Sequence, residues 1–190
     1  MIMPHDHAIK EIVDTYLQEC IDNGINSISG VEIEMIAPNQ DPKEKSLFWL
    51  PIASKVTEVE IESVETQLGH RLPTDYKVFL KYKHFYDLYI SEASFCRHPI
   101  NKWRDHLKQM IFNGWPLEYM FNKGYIHFAD WSDWGALCFD TNRKSPNNDY
   151  PIVLWDHDRP LEIQNVSESF FDLIIKLDKE HREMTNYNQE

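Results

Sequence analysis

Two short runs combine residue types that bind metals or move protons. They are WDHD at residues 155–158 and HDH at residues 5–7. If WDHD continues a strand, Asp156 and Asp158 share one face while His157 points the other way, so the three cannot converge on an ion from one strand. The HDH run lies at the N-terminus, where fraying is expected and a ligand role is disfavoured. Catalytic signatures are no better represented. The chain has no G-x-S-x-G elbow, H-E-x-x-H helix, P-loop or dinucleotide glycine fingerprint, and its 6 glycines leave little material for phosphate-cradling loops. Carboxylate pairs can always be drawn from 31 acids, but nothing singles out a general acid–base dyad. The expectation is a protein without catalysis, cofactor or bound metal. A small metal-dependent hydrolase is the alternative, and stoichiometric zinc or manganese in purified protein would favour it.

The same residue types read better as contact chemistry. Glu58, Glu62 and Glu65 recur at i, i+4 and i+7, opposite Ile61, Val64 and Leu68. That stripe is either a solvated helix face or a surface imitating nucleic-acid charge for a basic cleft. In DWSDW, Asp130, Trp131, Asp133 and Trp134 crowd one turn. Exposed tryptophans flanked by acids make good interface anchors, whereas a purely structural turn would fold them inward. Asp156 and Asp158, at an Asp-rich strand end, complete the candidate contact set. The 81–92 stretch, with Tyr82, Phe85, Tyr86 and Tyr89, is a further candidate surface.

Charge narrows the partner class. The net charge is −12, distributed as 13 acids against 4 bases in residues 1–66, 5 against 9 in 67–124, and 13 against 6 in 125–190. Such acidity repels phosphates and anionic lipid, so nucleic acid and membrane surfaces are poor partners, while a basic protein would be steered in. No apolar run approaches the roughly 20 residues a membrane span needs. The MIMPHDHAIKEI start lacks a basic n-region followed by an apolar stretch, so a soluble, cytoplasmic protein is expected. Cys20, Cys96 and Cys138 are odd in number, scattered and without a C-x-x-C pair, and read as reduced thiols.

These residues need elements to position them. Ile9, Ile12, Val13, Tyr16, Leu17 and Cys20 form a helical stripe that Asn23-Gly24 stops. Val31, Ile33 and Met35 alternate with Glu32 and Glu34, which predicts a short strand, and residues 38–56 read as a linker around an apolar LFWLPI knot. Thr57 and Glu60 make a capping box for a second helix that Gly69 ends. A third helix begins near Pro73 and carries Tyr76, Phe79 and Leu80; a fourth spans about 100–112, with Trp103, Leu107, Met110 and Ile111. Strands are predicted at 125–129, 136–140 and 152–156, the last apolar without alternation and therefore covered on both faces. A weaker strand is predicted at 161–164. Ser167 is expected to cap a last helix burying Phe170, Phe171, Ile174, Ile175 and Leu177. Helices, then an antiparallel meander, then a helix define an α+β layer fold.

Four ordered pieces carry a resemblance. VTEVEIESVETQLGHRLPTDYKVFL (56–80) resembles the opening signature of the SUKH superfamily: an acidic helix, a Leu-Gly stop, then Leu-Pro and a Tyr-Phe-Leu helix. GYIHFADWSDWGALCFDT (124–141), PIVLWDHD (151–158) and VSESFFDLI (166–174) are similar to the rest of it, in the right order. The resemblance implies a SUKH-like domain over 56–180, with 1–55 as a helix and strand extension packed on it and 181–190 as a tail. The family includes a yeast regulator of cell-wall synthesis and many bacterial immunity proteins that bind a toxin domain, often a nuclease, and block it. The implied function is therefore a non-enzymatic immunity protein with a toxin as partner and monomer or dimer left open. A regulatory scaffold resembling the yeast protein is the alternative, and it predicts several weak partners rather than one tight one.

Overall fold

The computed structural model describes residues 4–113, 119–143 and 149–187. Helix α1 (Pro4–Asp22) buries Ile9, Ile12, Val13, Tyr16, Leu17 and Cys20, as the stripe predicts. It takes in the HDH run that was expected to fray. His5 stacks on Phe171 with ring centroids 3.8 Å apart, and its Nδ1 lies 2.9 Å from the Asp75 carboxylate. Gly24 then takes the left-handed conformation, with φ of 66°.

The next segment departs from expectation. β1 (Ser27–Ile28) pairs with β2 (Leu47–Phe48), and a 3-10 turn at Ile33–Met35 replaces the strand predicted over 31–35. Glu32 explains the change. Its amide donates to the Tyr86 hydroxyl at 2.8 Å, and its carboxylate accepts from the Ile100 and Asn101 amides at 2.8 and 3.0 Å. Residue 32 is thereby tied to distant segments rather than to a neighbouring strand. The expected linker is also structured, because β3 (Ile52–Ala53) pairs with β4 (Lys83–His84) and Leu47 and Trp49 are buried.

Helix α2 (Glu58–Leu68) has both halves of the Thr57–Glu60 capping box and ends on Gly69 with φ of 69°. Helix α3 (Thr74–Leu80) follows with Pro73 as its N-cap, burying Tyr76, Phe79 and Leu80. β5 (Tyr89–Ile90) and β6 (Ala93–Phe95) are short pairings that periodicity did not reveal. Helix α4 (Trp103–Lys108) runs into a π turn at Gln109–Asn113. Trp103, Leu107 and Ile111 are all buried, and their spacing of four matches that looser winding.

β7 (Tyr125–Trp131), β8 (Gly135–Asp140), β9 (Ile152–Asp156) and β10 (Ile163–Ser167) complete a six-stranded antiparallel sheet ordered β10-β9-β8-β7-β6-β5. Ser167 therefore ends a strand. The cap of α5 (Phe170–Tyr187) is Ser169, whose Oγ accepts from the Asp172 amide at 3.1 Å and donates to its carboxylate at 2.7 Å. The buried set on α5 is Phe170, Leu173, Ile174 and Leu177, an i, i+3, i+4, i+7 stripe, while Ile175 is exposed and Phe171 half-buried beneath His5. Residues 181–187, expected as tail, continue the helix; 188–190 lie outside the described residues.

The sheet carries apolar packing on both faces. On one, Phe128 and Phe139 stack at 4.2 Å and meet Tyr76 of α3 and Phe170 of α5 edge-on or tilted at 5.2–6.2 Å. On the other, Met120, Ala136, Cys138, Val153 and Trp155 form a smaller cluster, so β9 is covered on both sides as its apolar run predicts. The architecture is α+β. No helix among the described residues is long and apolar enough to cross a membrane.

Candidate functional site

Three turns meet at one end of the sheet. The Trp131–Gly135 pair closes a three-residue hairpin loop, Ser132-Asp133-Trp134, with Ser132 in the left-handed region at φ of 50°. The Ser132 amide donates to the Glu92 carbonyl at 2.8 Å, tying in the β5–β6 turn. The His157 amide donates to the Trp134 carbonyl at 3.0 Å, tying in the β9–β10 turn. Gly135 permits this closeness, because a Cβ there would lie 2.9 Å from Leu154 Cδ1 and 3.1 Å from the Trp155 carbonyl oxygen. Asp156 Oδ1 accepts from the Asp158 amide at 2.8 Å, an Asx-type turn that stops the strand.

Six of the nine candidate residues therefore stand together: Asp130, Trp131, Asp133, Trp134, Asp156 and Asp158. Asp130, Asp133 and Asp158 are exposed and Asp156 is half-buried. Trp131 and Trp134 are half-buried, rooted on the core with part of each ring outward. Leu161, on the same β9–β10 turn, is 85% exposed. Acids, aromatic surface and an unpaired apolar side chain thus share one rim.

The three candidates on α2 lie elsewhere. Glu58 is exposed and pairs with Lys81 at 2.8 Å; Glu62 is exposed. Glu65 is not part of an exposed stripe. Its carboxylate is buried, 2.5 Å from Lys77 Nζ, and accepts from the Leu72 amide at 2.8 Å. Its charge is felt by Tyr150, just before β9 begins, whereas the turns sit where β9 ends. That separation is roughly 13 Å along the strand at about 3.3 Å per residue. Of the 81–92 surface, Phe85 and Tyr86 are buried and Tyr89 is exposed.

Behind the rim lies a polar cleft of about 660 Å³ that the residue patterns did not reveal. Its floor is the β5–β6–β7 face, with Tyr89, Ser94, Cys96, His127 and Asp130; its wall is the α4 and π-turn segment, with His106, Gln109 and Met110. A bulge builds the floor. Register slips between His127 and Ala129, leaving Phe128 as the extra residue, so His127 and Asp130 fall on one face. His127 Nε2 then lies 3.0 Å from Asp130 Oδ1 and 3.1 Å from the Ala129 carbonyl, while its Nδ1 is buried without a partner. Burial pushes the Cys96 thiol up to about 12, with Asp130 adding to the effect, so it stays protonated at neutral pH and is a poor nucleophile. Burial lowers His106, helped by Arg97 and Lys102, which favours its neutral form. The signal available in the sequence was a lone histidine, His127, inside the otherwise apolar YIHFA strand.

The WDHD run shows no convergent ligands: His157 Nε2 is 3.3 Å from Asp158 alone. Among the described residues no group of three or more His, Cys, Asp or Glu could hold a metal ion. The three cysteines are free thiols, with Cys20 and Cys138 buried.

An α+β fold, with a six-stranded antiparallel sheet whose turn end gathers acids and tryptophans, is the setting for the comparison with known proteins. The model of the SMI1 / KNR4 family (SUKH-1) matches residues 55–176. The chain belongs to that family, within the SUKH superfamily. No curated protein matches the chain.

Proposed function

We propose that this chain is an immunity protein that neutralises a toxin by binding it and covering its active surface. Family membership over residues 55–176 carries the reading, since SUKH proteins are generally immunity or regulatory proteins that act by binding. The turn end supports it. Half-buried Trp131 and Trp134 supply anchors, Leu161 adds apolar area, and Asp130, Asp133, Asp156 and Asp158 attract a basic surface. The partner proposed is a basic toxin domain, a nuclease being the natural case, met in the cytoplasm. Residues 1–55 belong to the same proposal as an extension of one domain, in keeping with the contacts of α1 with α3 and α5.

The test is co-expression with toxins encoded beside the gene, followed by isolation of the complex. Rescue of growth and a one-to-one complex are expected. Changing Asp133, Asp156 and Asp158 together to Asn should slow association and flatten its salt dependence while leaving the fold intact, because Asp133 and Asp158 are exposed and Asn at 156 keeps the oxygen that accepts from the residue 158 amide. Neither rescue nor a complex with any neighbouring toxin would end the proposal.

A further inference from the structure

The cleft behind the rim has an unbalanced chemistry. Asp87 is paired, with Arg97 Nη2 at 3.3 Å from its Oδ1. Among the described residues Asp130 has no lysine or arginine against it, only the ring of His127. That ring directs Nε2 at two acceptors, so in neutral imidazole Nε2 holds the hydrogen and Nδ1 is a bare acceptor, more than nine-tenths buried with its residue and unmatched. Cross-strand register sets Tyr89, Ser94 and Asp130 in one row across β5, β6 and β7. The site thus offers a carboxylate with no lysine or arginine against it among the described residues, beside a row of hydroxyl oxygens. Arg97, held on Asp87, and the Gln109 and Asn113 amides also line the cleft, so what it lacks among the described residues is a cation for Asp130.

We propose that the cleft receives an arginine side chain presented by the protein partner. The guanidinium seats against Asp130, the planar fork of donors meeting the carboxylate and the Ser94 and Tyr89 hydroxyls. The half-exposed Tyr89 ring offers a face for stacking, and Met110 an apolar wall for the methylene stem. Lysine fits less well, since a single ammonium cannot span a row of acceptors. The inference rests on the partner-binding reading above and names the chemistry of its contact.

The test titrates a capped Gly-Arg-Gly peptide, its citrulline counterpart and its lysine counterpart into the isotopically labelled full chain, followed by NMR. Saturable shifts confined to Tyr89, Ser94, His127 and Asp130 are expected with arginine. Binding should weaken by roughly tenfold or more when the charge is removed, either by citrulline or by Asp130→Asn. Equal responses to arginine and citrulline, or shifts spread over other surfaces, would overturn the inference, and an equal response to lysine would overturn the choice of arginine. Measured on the toxin complex, a failure to associate at all sinks the partner reading. A tight complex indifferent to Asp130→Asn sinks only the arginine seat.

Discussion

His127 Nε2 and Asp130 Oδ1 lie 3.0 Å apart, although residues three apart on a regular strand point to opposite faces. The bulge at Phe128 supplies the missing phase shift. Because Nε2 meets only acceptors, neutral His127 should be the Nε2–H tautomer, and long-range proton–nitrogen NMR spectra at pH 8 will show it. The opposite tautomer, which would leave Nε2 a bare acceptor facing two others, would refute this assignment.

Glu65 and Glu62 should behave as different kinds of residue. Glu65→Ala strands Lys77, which is 15% exposed, and frees the Leu72 amide. A loss of about 3 kcal/mol is expected in urea unfolding, against less than about 0.5 kcal/mol for Glu62→Ala. Equal losses would show that the Glu65–Lys77 pair is not the buried strut described above.

A buried histidine pair gives the fold an acid limit. His84 Nδ1 donates to the His98 carbonyl at 2.9 Å, its Nε2 accepts from the Lys55 amide at 2.8 Å, and His98 Nε2 donates to the Leu80 carbonyl at 2.8 Å. Burial, with the neighbouring His84 adding to it, lowers His98 to about 3 from 6.5. Between those values the unfolded chain binds the extra proton, so stability is complete above pH 6.5 and declines as pH falls towards 3. His98→Phe should be less stable at pH 7, because the Leu80 carbonyl keeps only the Ser54 hydroxyl as donor, yet lose less on acidification. An unchanged slope from pH 6.5 to 4 would refute the assignment.

Asp149 acts with the opposite sign. Burial, reinforced by Asp75 and Asp172 and opposed by the Tyr150 amide and His5, raises it from 3.8 to about 6. The folded state then holds the extra proton, so this group's contribution is full below pH 3.8 and is lost as pH rises to about 6. Asp149→Asn, which keeps an oxygen for the Tyr150 amide, should stabilise the protein at pH 7 and have little effect at pH 4. A variant less stable at pH 7 would contradict this.

Local physics was legible where neighbours in sequence satisfy one another. The Thr57–Glu60 box, the Gly69 stop, the α1 stripe and the hairpin strands follow from capping, left-handed glycine and apolar period, each complete within a few residues. Strands of two or three residues, such as β5 and β6, are too short for any period to register. The predicted strand at 31–35 failed because Glu32 is held by Tyr86, Ile100 and Asn101, contacts that no local pattern contains.

By itself the sequence determined the order of most helices and strands, their apolar faces, the acidic charge and the family resemblance, since each is a property of residues adjacent in the chain. Only the tertiary structure decided that Glu65 turns inward, because it sits at the edge of the α2 stripe and its side is chosen by Lys77 arriving from α3. Likewise, the gathering of three turns at one sheet end and the facing of His127 and Asp130 follow from strand register and one bulge. Those are long-range pairings whose free energy is shared between distant segments, so neither segment specifies them alone.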